Sequence, residues 1–333
     1  MKGSNHKLFR VVKWIISLAA YGFLAYKLSH IEYWNELKRS FEHSGIQQVL
    51  FLVSVLLLMP VNWMLETKKW QMLTSGSFPL SFFTALKSVL AGLSTGYITP
   101  NRIGEFAGRI LFFPEKHRWT GVALSIVNSI TQNIVITISG IVGGIFYVAR
   151  YYPETDFTAY FSVLGFGMVM LLVLYLSFPG ILKRLTEKDG FVKFRNAIKS
   201  LSAFYLADLL SVLLISFVRY VVFVGQFYLI LRFFGIEITV HQALMAIPAM
   251  YLMVTYTPSF AASEPAIRGS VALLVFSVFS TNEIGILLTG ILIWLINFVV
   301  PMLAGSLIVL KASPVVSGSN TETDSETDAT VSR

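Results

Sequence analysis

The segment TPNRIGEFAGR, residues 99–109, interrupts a long apolar run, and its pattern returns in the segment TPSFAASEPAIR, residues 257–268. Both Thr-Pro pairs follow an Ala-Leu pair, at 85–86 and 243–244, by the same number of residues. After each break comes a glutamate and, four residues later, an arginine: Glu105 and Arg109, then Glu264 and Arg268. Such repetition is typical of membrane proteins built from two inverted-topology repeats that meet at broken helices. We therefore expect each repeat to contain a re-entrant-like helical hairpin broken at a proline.

The composition indicates a membrane protein. Hydrophobic residues make up 55% of the chain and charged residues only 13%, and the mean hydropathy is +0.69. Because a soluble domain carries about 25% charged residues, these values predict an all-α polytopic membrane protein. A helix needs about 20 apolar residues to cross the hydrocarbon core. About eight hydrophobic helical segments approach that length: 11–28, 46–65, 80–99, 120–149, 160–180, 205–231, 240–258 with 264–279, and 284–310. The first lacks a small-residue cleavage site, so we expect it to remain as an anchor.

Several kinds of chemistry are excluded or disfavoured by the residue types present. The chain has no cysteine, which removes disulfides, thiol nucleophiles and thiolate ligands. Its five histidines show no metal-ligand spacing. We expect no metal, no cofactor and no nucleic-acid partner, and we see no activated nucleophile that would indicate an enzyme.

The distribution of Lys and Arg predicts the orientation. Basic residues concentrate in four segments, which the positive-inside rule assigns to the cytoplasm. These segments are the N-terminus 1–10, the pair Lys68 and Lys69, residues 116–118, and the linker 181–204. Residues 29–45 and 150–156 are slightly acidic and should lie outside. The arrangement requires 80–118 to return to the cytoplasmic side and 240–280 to the outer side, with both termini cytoplasmic in the inner membrane. A model in which 80–99 is an ordinary span violates the charge rule at three places.

The expected domain organisation follows from these segments. It consists of the N-terminus 1–10, membrane repeat 1 at 11–180, the basic linker 181–204, membrane repeat 2 at 205–312, and the tail 313–333. The tail is rich in Ser, Thr, Asp and Glu, so it should be disordered and solvated.

The charged residues beside the two breaks are the candidate site. Arg102, Glu105 and Arg109 have the spacing i, i+3 and i+7, which predicts one helical stripe. Glu264 and Arg268 are spaced i, i+4 and should pair. Small residues at Gly104 and Gly108 should let another helix or a lipid headgroup approach closely. The predicted helix breaks are at Pro100, Gly104 and Pro258, and Ser263 is expected to cap the helix after the second break.

Ionisable groups inside a membrane are costly and usually mark a pathway. We add Arg219, midway along its span, to the candidate site for this reason. A guanidinium suits a phosphate and a carboxylate suits an amine, so the site is suited to an anionic or aminoacylated phospholipid headgroup. The structural alternative is an ion-pair lock that only holds the two halves together.

Residues 99–109 resemble the Pro-x-Arg-x-Gly-Glu-x-x-Arg signature of the lysylphosphatidylglycerol synthase transmembrane family, also called flippase-like proteins. The second segment is similar to the second signature of this family, but Ala261, Ala262 and Ser263 stand where glycines are common. The resemblance covers about residues 8–312 and extends to the N-terminal flippase domain of the multiple peptide resistance factor. In two-part relatives this domain is thought to move aminoacylated phosphatidylglycerol between leaflets, while a soluble domain attaches the amino acid. Because the sequence shows no such soluble domain, the resemblance implies a lipid translocase or an accessory unit and argues against a synthase. The alternative is a non-transporting accessory or scaffold subunit for a lipid-modifying or glycosyl-transferring enzyme.

Overall fold

The computed structural model describes residues 45–99, 102–154, 156, 158–185, 195–259 and 263–311. The predicted N-terminus 1–10, the first apolar segment 11–28, Pro100 and the tail 313–333 lie outside the described residues. Within the described residues every regular element is helical, which confirms the all-α prediction.

The described residues form eleven α-helices. They are α1 (Ile46–Thr74), α2 (Phe82–Ile98), α3 (Gly104–Arg109), α4 (Arg118–Tyr151), α5 (Thr158–Leu185), α6 (Arg195–Ser202), α7 (Leu206–Phe233), α8 (Val240–Tyr256), α9 (Glu264–Phe276), α10 (Glu283–Trp294) and α11 (Val300–Lys311). A π-helical turn, Leu295–Val299, joins α10 to α11. In the described chain, five stretches are long and apolar enough to cross a membrane: Ile46–Thr74, Glu115–Tyr151, Thr158–Arg184, Leu206–Phe233 and Glu283–Leu310. The protein is thus a multi-pass membrane protein.

The first hairpin consists of α2 and the short α3, which runs back along it. Gly108 packs so closely on α2 that a Cβ there would meet the backbone of Ala91 and the hydroxyl of Thr95. The same Thr95 hydroxyl donates to the Gly104 carbonyl oxygen at 2.7 Å. Small residues at Gly104 and Gly108 therefore permit the close helix approach that the sequence predicted. After α3, Phe113 reaches the ring of Phe78, with 5.3 Å between centroids, so the chain returns to the end where α2 began.

The second hairpin consists of α8 and α9. The Thr239 hydroxyl caps α8 by accepting from the Gln242 backbone N–H at 3.2 Å. Both ends of this hairpin contact Tyr151. Gln242, in the first turn of α8, donates to the Tyr151 hydroxyl at 3.4 Å, and the ring of Phe279, which follows α9, lies 5.0 Å from the Tyr151 ring. Tyr151 ends α4, whereas the first hairpin opens beside the start of α4. The two hairpins therefore open at opposite ends of a 34-residue helix, which is about 50 Å long.

Each hairpin also packs against a helix from the other half of the chain. Helix α2 packs on α11, helix α8 packs on α4, and α1 runs along α7. At the first contact Gly305 is so close to Leu90 that a side chain would overlap its backbone. At the second, a Cβ on Gly143 would lie 2.8 Å from the Met245 carbonyl oxygen. Small residues thus set both helix crossings.

Two local predictions are wrong. Helix α1 was expected to end at residue 65, with Lys69 in a cytoplasmic loop, but it continues to Thr74 and the Lys69 side chain is buried. The charges of Glu66 and Lys69 end the apolar run, yet they neutralise each other inside the protein, so the helix does not have to stop. Ser263 precedes α9 but its side chain makes no capping hydrogen bond.

Candidate functional site

A cavity of about 690 Å³ lies among α1, the first hairpin, α4, α7, the second hairpin and the turn after α10. Eight charged side chains are among the described residues that line it: Glu66, Lys69, Arg102, Glu105, Arg109, Arg219, Glu264 and Arg268. They form two clusters, each organised around a buried glutamate.

The Glu66 cluster comprises Glu66, Lys69, Glu105, Arg109 and Arg219. Glu66 is 4% exposed and forms ion pairs with three basic side chains. Its Oε1 is 2.6 Å from Arg109 Nη2, and its Oε2 is 3.1 Å from both Lys69 Nζ and Arg219 Nη1. Asn128 also donates to Oε1, at 2.8 Å. A buried carboxylate is stable only when paired and hydrogen-bonded in this way.

Arg109 links the first hairpin to α1. One helical turn separates it from Glu105, whose Oε1 accepts from Arg109 Nε at 3.2 Å and Nη2 at 2.8 Å. The guanidinium lies 5.0 Å from the centroid of the Trp70 ring. Its remaining nitrogen, Nη1, is buried without a hydrogen-bond partner among the described residues. Arg109 therefore has an unused donor in a cluster that carries net positive charge.

Arg219 enters the same cluster from α7. Its Nε donates to Asn62 Oδ1 at 2.7 Å and its Nη1 donates to Gln132 Oε1 at 3.2 Å. Both amides come from other helices, Asn62 from α1 and Gln132 from α4, so Arg219 joins three helices. The guanidinium also lies 5.1 Å from the Phe223 ring centroid.

The Glu264 cluster comprises Arg102, Glu264, Arg268, Trp294 and Phe298. Arg102 binds Glu264 with a bidentate fork, at 3.1 Å to Oε1 and 2.9 Å to Oε2. Arg268 Nη1 and Trp294 Nε1 also donate to Oε2, at 3.2 Å and 3.0 Å. Both guanidiniums lie over the ring of Phe298, with Cζ 4.4 Å from the ring centroid for Arg102 and 4.9 Å for Arg268. One carboxylate thus holds two arginines side by side.

The structure brings all six predicted charged residues to one cavity, but the predicted single stripe is wrong. Arg102 precedes α3 and has a left-handed backbone, with φ 57°. Its side chain therefore reaches Glu264 in the second motif, while Glu105 and Arg109 turn to the Glu66 cluster. Of the predicted breaks, Pro258 lines the cavity and Gly104 lies buried in the hairpin contact.

The sequence analysis missed Glu66, Lys69 and Trp294 as site residues. The signal for the first two was their i, i+3 spacing directly after an apolar run. Trp294 belongs to the site because it donates to Glu264. In the described part of the chain, no group of three or more His, Asp or Glu side chains is arranged to hold a metal ion. The side chains present offer guanidinium and ammonium donors, suited to phosphate oxygens.

Fold and site together define a multi-pass helical membrane protein with a charged cavity inside its helical bundle. The family model described as the lysylphosphatidylglycerol synthase TM region matches residues 11–305. The chain belongs to this family, and membership points to a membrane lipid-related role. No curated protein and no solved structure shows a significant match to the chain.

Proposed function

We propose that the protein is a lipid translocase that moves a phospholipid or modified anionic lipid between the leaflets of the inner membrane. The observation that carries this proposal is the 690 Å³ cavity, lined by five basic and three acidic side chains. Its volume falls within the roughly 300–1,000 Å³ of small-molecule sites, so a headgroup fits. Charged side chains in a membrane protein usually face a pathway of this kind.

The helix breaks support the same proposal. Backbone that leaves the helix at membrane depth is tolerated where protein buries it or a cavity hydrates it. Thr99, Thr257, Pro258 and Ser259 lie at the breaks and line the cavity. The irregular backbone next to both breaks therefore lies against the cavity.

An inverted repeat would allow the cavity to open to each leaflet in turn. The hairpins open at opposite ends of α4, and the packing of α2 on α11 has its counterpart in that of α8 on α4. We propose that these contacts relate two repeats of opposite topology, with the basic linker and both termini in the cytoplasm. Movement of one repeat against the other would expose the cavity to each side in turn.

Cysteine labelling tests this orientation, because the chain has no cysteine of its own. Single cysteines at the exposed positions Lys116 and Lys199 should resist a membrane-impermeant thiol reagent in intact cells. A cysteine at the exposed Glu154 should react. Permeabilised cells provide the control, since all three positions should then label. Labelling at position 199 from outside would contradict the inverted topology.

A second candidate function is an accessory or scaffold subunit for a lipid-modifying or glycosyl-transferring enzyme. The observation that favours it is that each of the three cavity glutamates forms an ion pair within the protein. Glutamates that serve only to hold the two halves of the protein together would be paired in this way. Neither candidate requires the chain to catalyse a reaction, and we propose that it does not.

The substitution Glu105→Gln distinguishes the two functions. It keeps the shape of the side chain but removes the charge that Arg109 binds at 2.8 Å. We expect insertion to persist and lipid movement to fall about tenfold or more, since a charge-assisted hydrogen bond contributes about 1.5–3 kcal/mol. The measurement is leaflet accessibility of a labelled phosphatidylglycerol in vesicles that contain the purified protein.

The double variant Glu105→Gln with Arg109→Gln is the companion test. In an ion-pair lock, removing both charges should restore stability and activity together. In a translocase, transport should stay low because the phosphate-binding guanidinium is gone. A wild-type protein that moves no lipid would favour the accessory subunit.

A further inference from the structure

Lys69 differs from the other cations of the cavity, because among the described lining residues it is the only lysine. Its side chain is fully buried. Lys69 Nζ lies 3.1 Å from Glu66 Oε2 and donates to the Asn128 carbonyl oxygen at 3.4 Å. A buried ammonium group is costly unless its partners compensate the charge, so the stability of the charged form depends on Glu66.

The carboxylate of Glu66 is shared among three cations. Its Oε2 also contacts Arg219 Nη1 at 3.1 Å, and its Oε1 contacts Arg109 Nη2 at 2.6 Å. Arg109 is in turn paired with Glu105. With Lys69 protonated, the cluster contains three positive and two negative charges. The loss of one proton would make it neutral.

Lys69 is the group in this cluster that can release that proton. The charged side chains around it are Glu66 from α1, Glu105 and Arg109 from α3, and Arg219 from α7; no charged side chain of α2, α4 or the π-helical turn lines the described cavity. Arginine keeps its proton in proteins, whereas a buried lysine releases it readily. Protonation of either glutamate would instead add a second uncompensated positive charge.

An acceptor for the proton lies next to Lys69. Glu66 Oε2 is buried and makes no hydrogen bond with the described residues, although it lies 3.1 Å from Lys69 Nζ. This distance is within the range for direct proton transfer. Both residues line the cavity, so a proton that leaves Nζ by way of this oxygen can pass to water in the cavity.

We infer that Lys69 exchanges one proton with the cavity for each anionic lipid that crosses, so that lipid movement is coupled to a proton gradient. This inference rests on the proposed translocase function and names its driving force. A headgroup with one negative charge favours the ammonium form, so the Lys69 amine takes a proton from water as the lipid enters. When the lipid leaves on the other side, the ammonium returns its proton to water there. Lipid and proton move in the same direction, and no net charge crosses.

A pH gradient tests the inference. Purified protein is placed in phosphatidylcholine vesicles with trace labelled phosphatidylglycerol, the interior is made one pH unit more alkaline, and the membrane potential is held at zero. We expect the label to accumulate in the inner leaflet about tenfold, because one pH unit is a tenfold difference in proton concentration. The ratio does not depend on which way the protein is inserted. Equal pH on both sides should give an even distribution.

The substitution Lys69→Arg assigns the coupling to this residue. Arginine keeps the positive charge but does not release its proton, so lipid should still cross while the leaflet ratio falls from about ten to about one. Lys69→Met, which has no proton to exchange, should give the same ratio if arginine does not fit. Lys68→Gln, which removes an exposed charge from the same turn of α1, should keep the tenfold ratio.

The outcomes separate the coupling from the function on which it rests. If the wild-type protein distributes the label evenly in the gradient, but faster than in protein-free vesicles, translocation stands and the coupling is wrong. If either Lys69 variant keeps the tenfold ratio, Lys69 does not carry the proton. If the label moves no faster than in protein-free vesicles, the translocase function itself fails.

Discussion

Glu66→Gln should destabilise the protein by about 3–5 kcal/mol, the usual effect of removing one partner from a buried ion-pair network. The substitution leaves Lys69 and Arg219 without the carboxylate that each contacts at 3.1 Å. Arg109 keeps Glu105 but loses its shortest ion pair. Thermal unfolding of the detergent-purified protein, followed by tryptophan fluorescence, measures the change.

The neighbouring residue Lys68 provides a matched control. Lys68 is exposed on the same turn of α1, so Lys68→Gln should change stability by less than about 0.5 kcal/mol. The double variant Glu66→Gln with Lys69→Met also removes one of the basic groups that have lost their counter-ion, so it should recover part of the lost stability. A Glu66→Gln protein as stable as the wild type would show that the cluster is solvated rather than buried.

Local pattern was sufficient to predict the helical class and the two broken segments. Long apolar runs specify helices, because only a helix satisfies its own backbone hydrogen bonds in lipid. Gly104 and Gly108 predicted close packing, and their contacts with Thr95 and Ala91 have that form. The pairs Glu105–Arg109 and Glu264–Arg268 were also predictable, since i, i+4 spacing places both side chains on one helix face.

The rest of the site depends on contacts that no local pattern specifies. Arg102 and Glu264 are 162 residues apart in the chain, and the left-handed backbone at Arg102 directs that side chain away from the expected stripe. Glu66 and Lys69 were missed for a different reason. Hydropathy treats a charged pair as the end of a span, whereas mutual neutralisation allows α1 to carry both inside the protein.

Glu264→Gln should have the largest effect on transport, because Glu264 is the contact between the two repeated motifs. Its carboxylate holds Arg102 through two hydrogen bonds and Arg268 through one. An amide keeps the shape but offers one acceptor oxygen and no charge, so the two guanidiniums lose their shared counter-ion. A loss of about 3 kcal/mol in charge-assisted bonding corresponds to roughly a hundredfold fall in the rate of phosphatidylglycerol movement.

A surface glutamate controls for the loss of charge alone. Glu115 pairs with Arg118 at 3.3 Å on the exposed start of α4, and such pairs contribute about 0–1 kcal/mol. Glu115→Gln should therefore move lipid at the wild-type rate. Glu264→Gln should lose transport while the protein stays folded, because the first hairpin is also held to the second half of the chain by helix packing around Gly305, where a Cβ would overlap the Leu90 carbonyl oxygen. If Glu264→Gln instead lowers the unfolding temperature while the surviving folded protein still moves lipid at the wild-type rate, then Glu264 fastens the two halves and does not position arginines for a headgroup.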